Sequence, residues 1–134
     1  MDKIKTASIE PWLMIKDGEG AVTFYKTAFN ATETYRLQDP GGGLVVRLSV
    51  NGAGFWINGG TGDDDPVNAP LGGDHVRMIL IVDDPDHFFV RALQAGATEI
   101  FPVGEEYGWR LGRLSDPFGL HWEIGHELSP TSHH

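Results

Sequence analysis

The 134 residues carry Lys+Arg 10 against Asp+Glu 19, a formal net charge of −9 that works against a polyanionic nucleic-acid partner. With 40% hydrophobic and 22% charged residues, the composition is that of a globular domain large enough to bury a core. The absence of cysteine excludes disulfides, thiolate metal ligands and a cysteine nucleophile.

The opening MDKIKTASIEPW lacks the apolar run of a signal peptide, and nothing later is long enough to span a bilayer. A cytoplasmic protein with no membrane partner is expected. A first strand follows at Glu10–Lys16, an apolar run bounded by Asp17. Ala21, Val22, Tyr25, Ala28 and Phe29 then recur at helical spacing, with Asp17 placed to accept from free first-turn N–H groups and Asn30 to end the helix. Three short strands are predicted near Glu33–Leu37, Leu44–Val50 and Gly54–Asn58, with turns at DPGGG and VNGAG.

The Gly-, Pro- and Asp-rich stretch GTGDDDPVNAPLGGD reads as a linker at 60–74. Its three acids, Asp63, Asp64 and Asp65, lack the spacing and terminal Glu of an EF-hand. The same order of elements then repeats. A strand at Val76–Val82 precedes a helix carrying Phe88, Phe89, Ala92 and Leu93, with Asp83 at its start, Pro85 in its first turn and Gly96 after its end. Strands near Glu99–Val103, Trp109–Ser115 and Leu120–Ile124 complete the second set. The polar tail after Ile124 ends in His133 and His134, which have the character of a tag and are set aside.

Laid on itself without gaps, the sequence matches at a spacing of 66 from Ile15 to Gly59. Eleven identities fall in those 45 positions, including Ala31/Ala97, Thr32/Thr98, Glu33/Glu99, Arg47/Arg113, Leu48/Leu114, Ser49/Ser115, Trp56/Trp122 and Gly59/Gly125. The chain is a duplicated βαβββ module, with repeats at 8–59 and 75–126 in one domain over 1–134. Modules of about 55 residues cannot cover their own sheets, so the two must pack together.

Tandem βαβββ at this length resembles the vicinal-oxygen-chelate superfamily of glyoxalases, bleomycin-resistance proteins and dioxygenases. IEPWLMIKDGEGAVTFYKTAFNATE resembles the opening of its PhnB-like members, and YGWRLGRLSDPFGLHWEI resembles their closing signature. The resemblance covers about Ser8 to His126. It implies an α+β fold in which the modules form an eight-stranded, open, barrel-like sheet with two helices outside. It also implies pairing as a homodimer around a small-molecule cleft.

In metal-using relatives, His, Gln or Glu ligands come from the first and last strands of each module. Those positions fall here at Pro11, Arg77, Ile57 and Glu123, a placement the spacing of 66 supports. Glu123 alone has a plausible ligand side chain, so the expected cofactor is none. A displaced divalent-metal site around His121 and Glu123, with His75 and Glu10 near the strand entrances, is the alternative.

If Glu123 faces the cleft, alternation puts His121 and Gly125 beside it and Trp122 toward the helices. The same logic puts Phe55 and Ile57 in the cleft and Trp56 in the core. Pro11, Leu13, Ile15, Arg77, Ile79 and Ile81 complete the wall. Arg77 and Glu123 are placed to form a salt bridge. Trp109 and Arg110 stand at the cleft mouth, where Trp stacks on a planar ligand and Arg clamps an anion; the structural alternative is core filling and an acid partner. The Arg47/Arg113 and Trp56/Trp122 pairs read as duplicated framework.

Three functions follow. The first is a metal-free small-molecule-binding protein. The second is a metal-dependent lyase, isomerase or dioxygenase using His121 and Glu123. The third is a metal-free enzyme with Glu123 as catalytic base, which a neighbouring Arg77 opposes by lowering that carboxyl's pKa.

Overall fold

The computed structural model describes residues 8–59 and 76–128. The expected linker with its three aspartates, His75, and the terminal His133 and His134 lie outside the described residues. The first module runs β1 (Trp12–Met14), α1 (Gly18–Phe29), β2 (Thr32–Gln38), β3 (Leu44–Val50) and β4 (Ala53–Gly59). The second runs β5 (Arg77–Ile81), α2 (Pro85–Ala95), β6 (Thr98–Glu106), β7 (Trp109–Ser115) and β8 (His121–Glu127).

Each module forms a four-stranded mixed sheet, ordered β1-β4-β3-β2 and β5-β8-β7-β6. The first and last strands of each module pair in parallel, and the other neighbours are antiparallel. The fold is α+β with two modules and no closed barrel. Its eight strands divide into two sheets. Among the described residues, no helix is long and apolar enough to cross a membrane.

Local chemistry accounts for the helix ends. Asp17 Oδ1 accepts from Gly20 N at 2.9 Å, and Asn30 takes a left-handed φ of 58° to stop α1. At the second helix the cap is Asp84, not Asp83: its Oδ1 accepts from His87 N at 3.2 Å, and Gly96 at φ 123° ends the helix. The helices therefore differ by one turn position, 12 residues against 11.

That single residue shifts the first strand, and a β7–β8 connection one residue longer than the β3–β4 turn shifts the last strand, so the repeat has two registers. Leu48 and Leu114, buried on β3 and β7, keep the spacing of 66. In the first and last strands the spacing becomes 67: Leu13 pairs with Ile57 where Leu80 pairs with Ile124, and Arg47 faces Trp56 where Arg113 faces Glu123. A slip of one residue turns every side chain of a strand over. The structural counterpart of Trp122 is thus Phe55, and that of Glu123 is Trp56. Trp56 and Trp122 are not a duplicated core pair.

The core lies between the modules. α1 packs on α2, and Arg91 Nη2 donates to Thr27 O at 2.9 Å across the helix pair. Tyr25 and Phe29 of α1 reach into the second module, with ring centroids 5.6 Å and 4.8 Å from Trp122. Tyr25 also meets Phe55 edge-on at 5.2 Å. Burial of each such side chain is worth about 1.5–3 kcal/mol. Asp116 is the one charged side chain among the described buried residues. It accepts from Tyr25 Oη at 2.5 Å, Trp122 Nε1 at 2.9 Å, and the backbone N–H of Phe118 and Leu120. Because both sheets turn one face to this shared core, their other faces point outward. Trp12, Met14, Ile79 and Ile81 stand exposed there.

Candidate functional site

The outward face of the second module holds a recess of about 200 Å³, lined by Ile79, Trp109, Leu111, Glu123 and Gly125. Alternation along β5, β7 and β8 places all five on one side. Gly125 forms part of its floor, where a Cβ would stand 2.4 Å from Arg110 O and 2.5 Å from Leu111 Cβ. Glu123 Oε2 lies 3.1 Å from Arg77 Nη1. Beside them Arg113 donates to His121 Nδ1 through Nε at 3.2 Å and Nη2 at 2.7 Å. A guanidinium cannot accept, so Nδ1 is the acceptor and a neutral ring carries its proton on Nε2.

Five residues expected in the cleft lie elsewhere. Phe55 and Ile57 are buried in the core, because β4 is one residue out of phase with β8. Leu13 and Ile15 turn inward for the same reason. Arg110 sits on the helix side of β7, one residue from Trp109 and hence on the opposite face. There it grips Asp86 of α2 through Nε at 2.8 Å and Nη2 at 2.6 Å, with Glu105 at 3.5 Å. This pairing holds the Asp86 carboxyl below its usual range.

The outward face of the first module carries a cluster that the spacing of 66 concealed. Glu10 accepts from Arg47 Nε at 2.8 Å, Arg47 Nη2 at 2.6 Å and Trp56 Nε1 at 2.9 Å. The Arg47 bonds are the main reason its carboxyl is held below the usual range. Arg47 Nη1 also donates to Thr34 Oγ1 at 3.0 Å, and its guanidinium carbon lies 6.0 Å from the Trp56 ring centroid. Gly54 makes this possible, since a Cβ there would fall 2.0 Å from Arg47 Nη2. Trp12 stacks on Trp56 at 6.1 Å and 25°, and Tyr35 tilts against it at 5.6 Å. The result is an aromatic wall fixed from behind by a neutralised ion pair. Reading β1 and β4 at a spacing of 67 would have put Glu10, Trp12 and Trp56 on the outward face.

No protein-family model matches the sequence. An uncharacterized protein of Mycobacterium bovis is 37% identical over 128 residues, spanning 88% of this chain and 82% of that one. In structure, the fosfomycin resistance protein FosX of Listeria monocytogenes aligns with a TM-score of 0.72 at 15% identity, over 92% of this chain and 95% of that one. A glyoxalase-related enzyme from Fulvimarina pelagi aligns at 0.64 and 18% identity, over 91% and 89%. The chain belongs to the same family as the mycobacterial protein, and it has the fold of the fosfomycin resistance protein and the glyoxalase-related enzyme.

The superfamily that the sequence resembles takes its metal ligands from the first and last strands of each module, and here the side chains of those strands that turn away from the core are the ones open to solvent. By the register observed they are Glu10 and Trp56 in one module and Arg77 and Glu123 in the other. These residues do not fit a catalytic cation. Tryptophan and arginine are not ligands for a divalent metal, Glu10 is held by Arg47 and Trp56, and Glu123 faces a guanidinium. His121 directs Nδ1 at Arg113 rather than joining Glu123. Among the described residues, no three His, Asp or Glu side chains gather into a metal cluster.

Proposed function

We propose that this chain is a small-molecule-binding protein that holds its ligand in a cleft closed by a second copy, without a catalytic metal. The observation that carries this reading is the recess itself. At about 200 Å³ it falls short of the roughly 300–1,000 Å³ of a ligand pocket, so it is one wall of a larger site. The other wall is the Trp12, Trp56 and Tyr35 face of a partner's first module. Both surfaces are apolar, outward and uncovered in the single chain. The fosfomycin resistance protein and the glyoxalase-related enzyme that share the fold support a cleft for small molecules.

Light scattering and metal analysis test the proposal together. A dimer is expected, with less than stoichiometric metal after incubation with nickel, zinc, manganese or iron(II). One metal per chain, lost in Glu123→Ala, would replace this reading with a metalloenzyme. A monomer that shows no thermal shift with any of a panel of small aromatic compounds would remove the cleft.

A further inference from the structure

We infer that the second module selects a ligand with a ring-bearing apolar body and one anionic head, the head held by Arg77 and the body directed toward Trp109. The inference rests on the recess being a wall of the ligand cleft and adds the chemical class of its occupant.

Arg77 stands two residues from Ile79 on β5, so its side chain rises on the same face, about 7 Å along the strand at the recess rim. Its side chain is 41% exposed, and Glu123 is its ion-pair partner among the described residues. Among the described residues that contact runs through Nη1, and a guanidinium so exposed has further donors of its five within reach of a ligand. That fork matches a carboxylate, phosphonate or sulfonate oxygen pair.

The charges along this face fix the ligand's direction. His121 is in register with Arg77, and Arg113 faces Glu123, so the two arginines, Arg77 and Arg113, stand at one end. At the other end Glu106 and Glu127 are both in register with Trp109 and share its side. An anionic head is drawn to Arg77 and repelled from the Trp109 end, which leaves Trp109, Leu111 and Ile79 to cover the apolar body. The chain as a whole carries −9, so its distant field repels anions and their capture depends on this local arrangement.

A cationic occupant fits less well. Glu10 and Glu123 are already neutralised by Arg47 and Arg77, Arg47 already sits over the Trp56 ring, and a cation drawn to Glu106 and Glu127 would sit at the Trp109 end and leave the Arg77 end unused.

Two fluorescent probes that differ by one sulfonate separate the head from the body: 1-anilinonaphthalene-8-sulfonate and N-phenyl-1-naphthylamine. Titrated into the full chain, the sulfonate is expected to bind about tenfold more tightly, as a charge-assisted hydrogen bond gives. The double variant Arg77→Gln/Glu123→Gln, which removes the guanidinium without leaving a bare carboxylate, should erase that preference and leave the neutral probe within about twofold. Arg77→Lys should keep part of it, and thermal melts confirm that each variant is folded. Equal affinity of the two probes for the unmodified chain, or a preference that survives in the double variant, overturns the anionic head. Trp109→Ala tests the cleft separately and should weaken both probes. If it changes neither, or if neither probe binds the unmodified chain, the cleft reading and this inference fall together.

Discussion

The Tyr25 hydroxyl on α1 donates to Asp116 Oδ2, 2.5 Å away in the β7–β8 loop, and so ties the first module to the second through a buried bond. Asp116 has no cationic partner among these contacts; four N–H and O–H donors compensate its buried charge instead. Tyr25→Phe removes one charge-assisted bond and is expected to cost about 1.5–3 kcal/mol in urea unfolding. Asp116→Ala orphans the remaining buried donors and should cost more than Tyr25→Phe. Burial, reinforced by the adjacent carboxylate, pushes the Tyr25 hydroxyl well above its ordinary range. A raised folded-state value means the associated stability is complete below the unfolded pKa near ~10 and declines as pH rises above it. Tyr25→Phe should abolish this alkaline loss, as followed by circular dichroism.

Glu33 gives the opposite sign. Arg36 and then Lys26 bond its carboxylate and lower its pKa to about 2. Folding is therefore favoured above the unfolded value near ~4.3, and that contribution disappears as pH falls toward 2. Solvent screens the cluster, so the expected effect is only about 1 kcal/mol. Unfolding curves of Glu33→Gln should lie close to those of the unmodified chain at pH 2 and fall below them at pH 6. Parallel curves across that range would show that the cluster adds nothing.

Gly54 is predicted to be as important to the aromatic wall as the residues that form it. In Gly54→Ala the new Cβ meets Arg47 Nη2 at 2.0 Å, so the guanidinium must leave Glu10. Trp56 Nε1 then depends on a carboxylate that is no longer held in place. A small stability loss and red-shifted tryptophan emission are the expected results. Unchanged emission would mean that the wall keeps its order without the ion pair.

The duplication is legible in the sequence because its strongest matches lie where the spacing of 66 is structurally true. ATE opens β2 and β6 from Ala31 and Ala97, and RLS lies in β3 and β7. The face of each outer strand is less legible. Trp12, Leu13, Met14 and Ile15 form a continuous apolar run with no alternation to reveal which pair is buried. The register depends on helix length for β1 and β5 and on turn length for β4 and β8, and element boundaries are the least certain feature of a sequence reading. The expectation that Trp109 and Arg110 share the cleft had a plainer obstacle: neighbours in a strand face opposite ways. The family resemblance sets Arg77 opposite Glu123, where the ion pair forms, and the spacing of 66 carries that pair back to Pro11 and Ile57 instead of Glu10 and Trp56.

The two tryptophans separate these registers by experiment. Trp122 packs within 4.8 Å of Phe29 and 5.7 Å of Phe55, and donates to Asp116. Trp122→Ala is expected to cost about 3–5 kcal/mol, since it opens a cavity and orphans a buried acceptor. Trp56 lies half-buried on the outward face. Trp56→Ala should cost only about 1 kcal/mol, while reducing the affinity of any flat ligand that stacks on this wall. Chemical denaturation of both variants decides between the spacings, because counterparts in a true repeat should lose comparable stability. Equal losses would restore the spacing of 66 through the last strands and return Phe55 and Ile57 to the open face. A large loss at Trp122 with a small one at Trp56 is what the spacing of 67 requires.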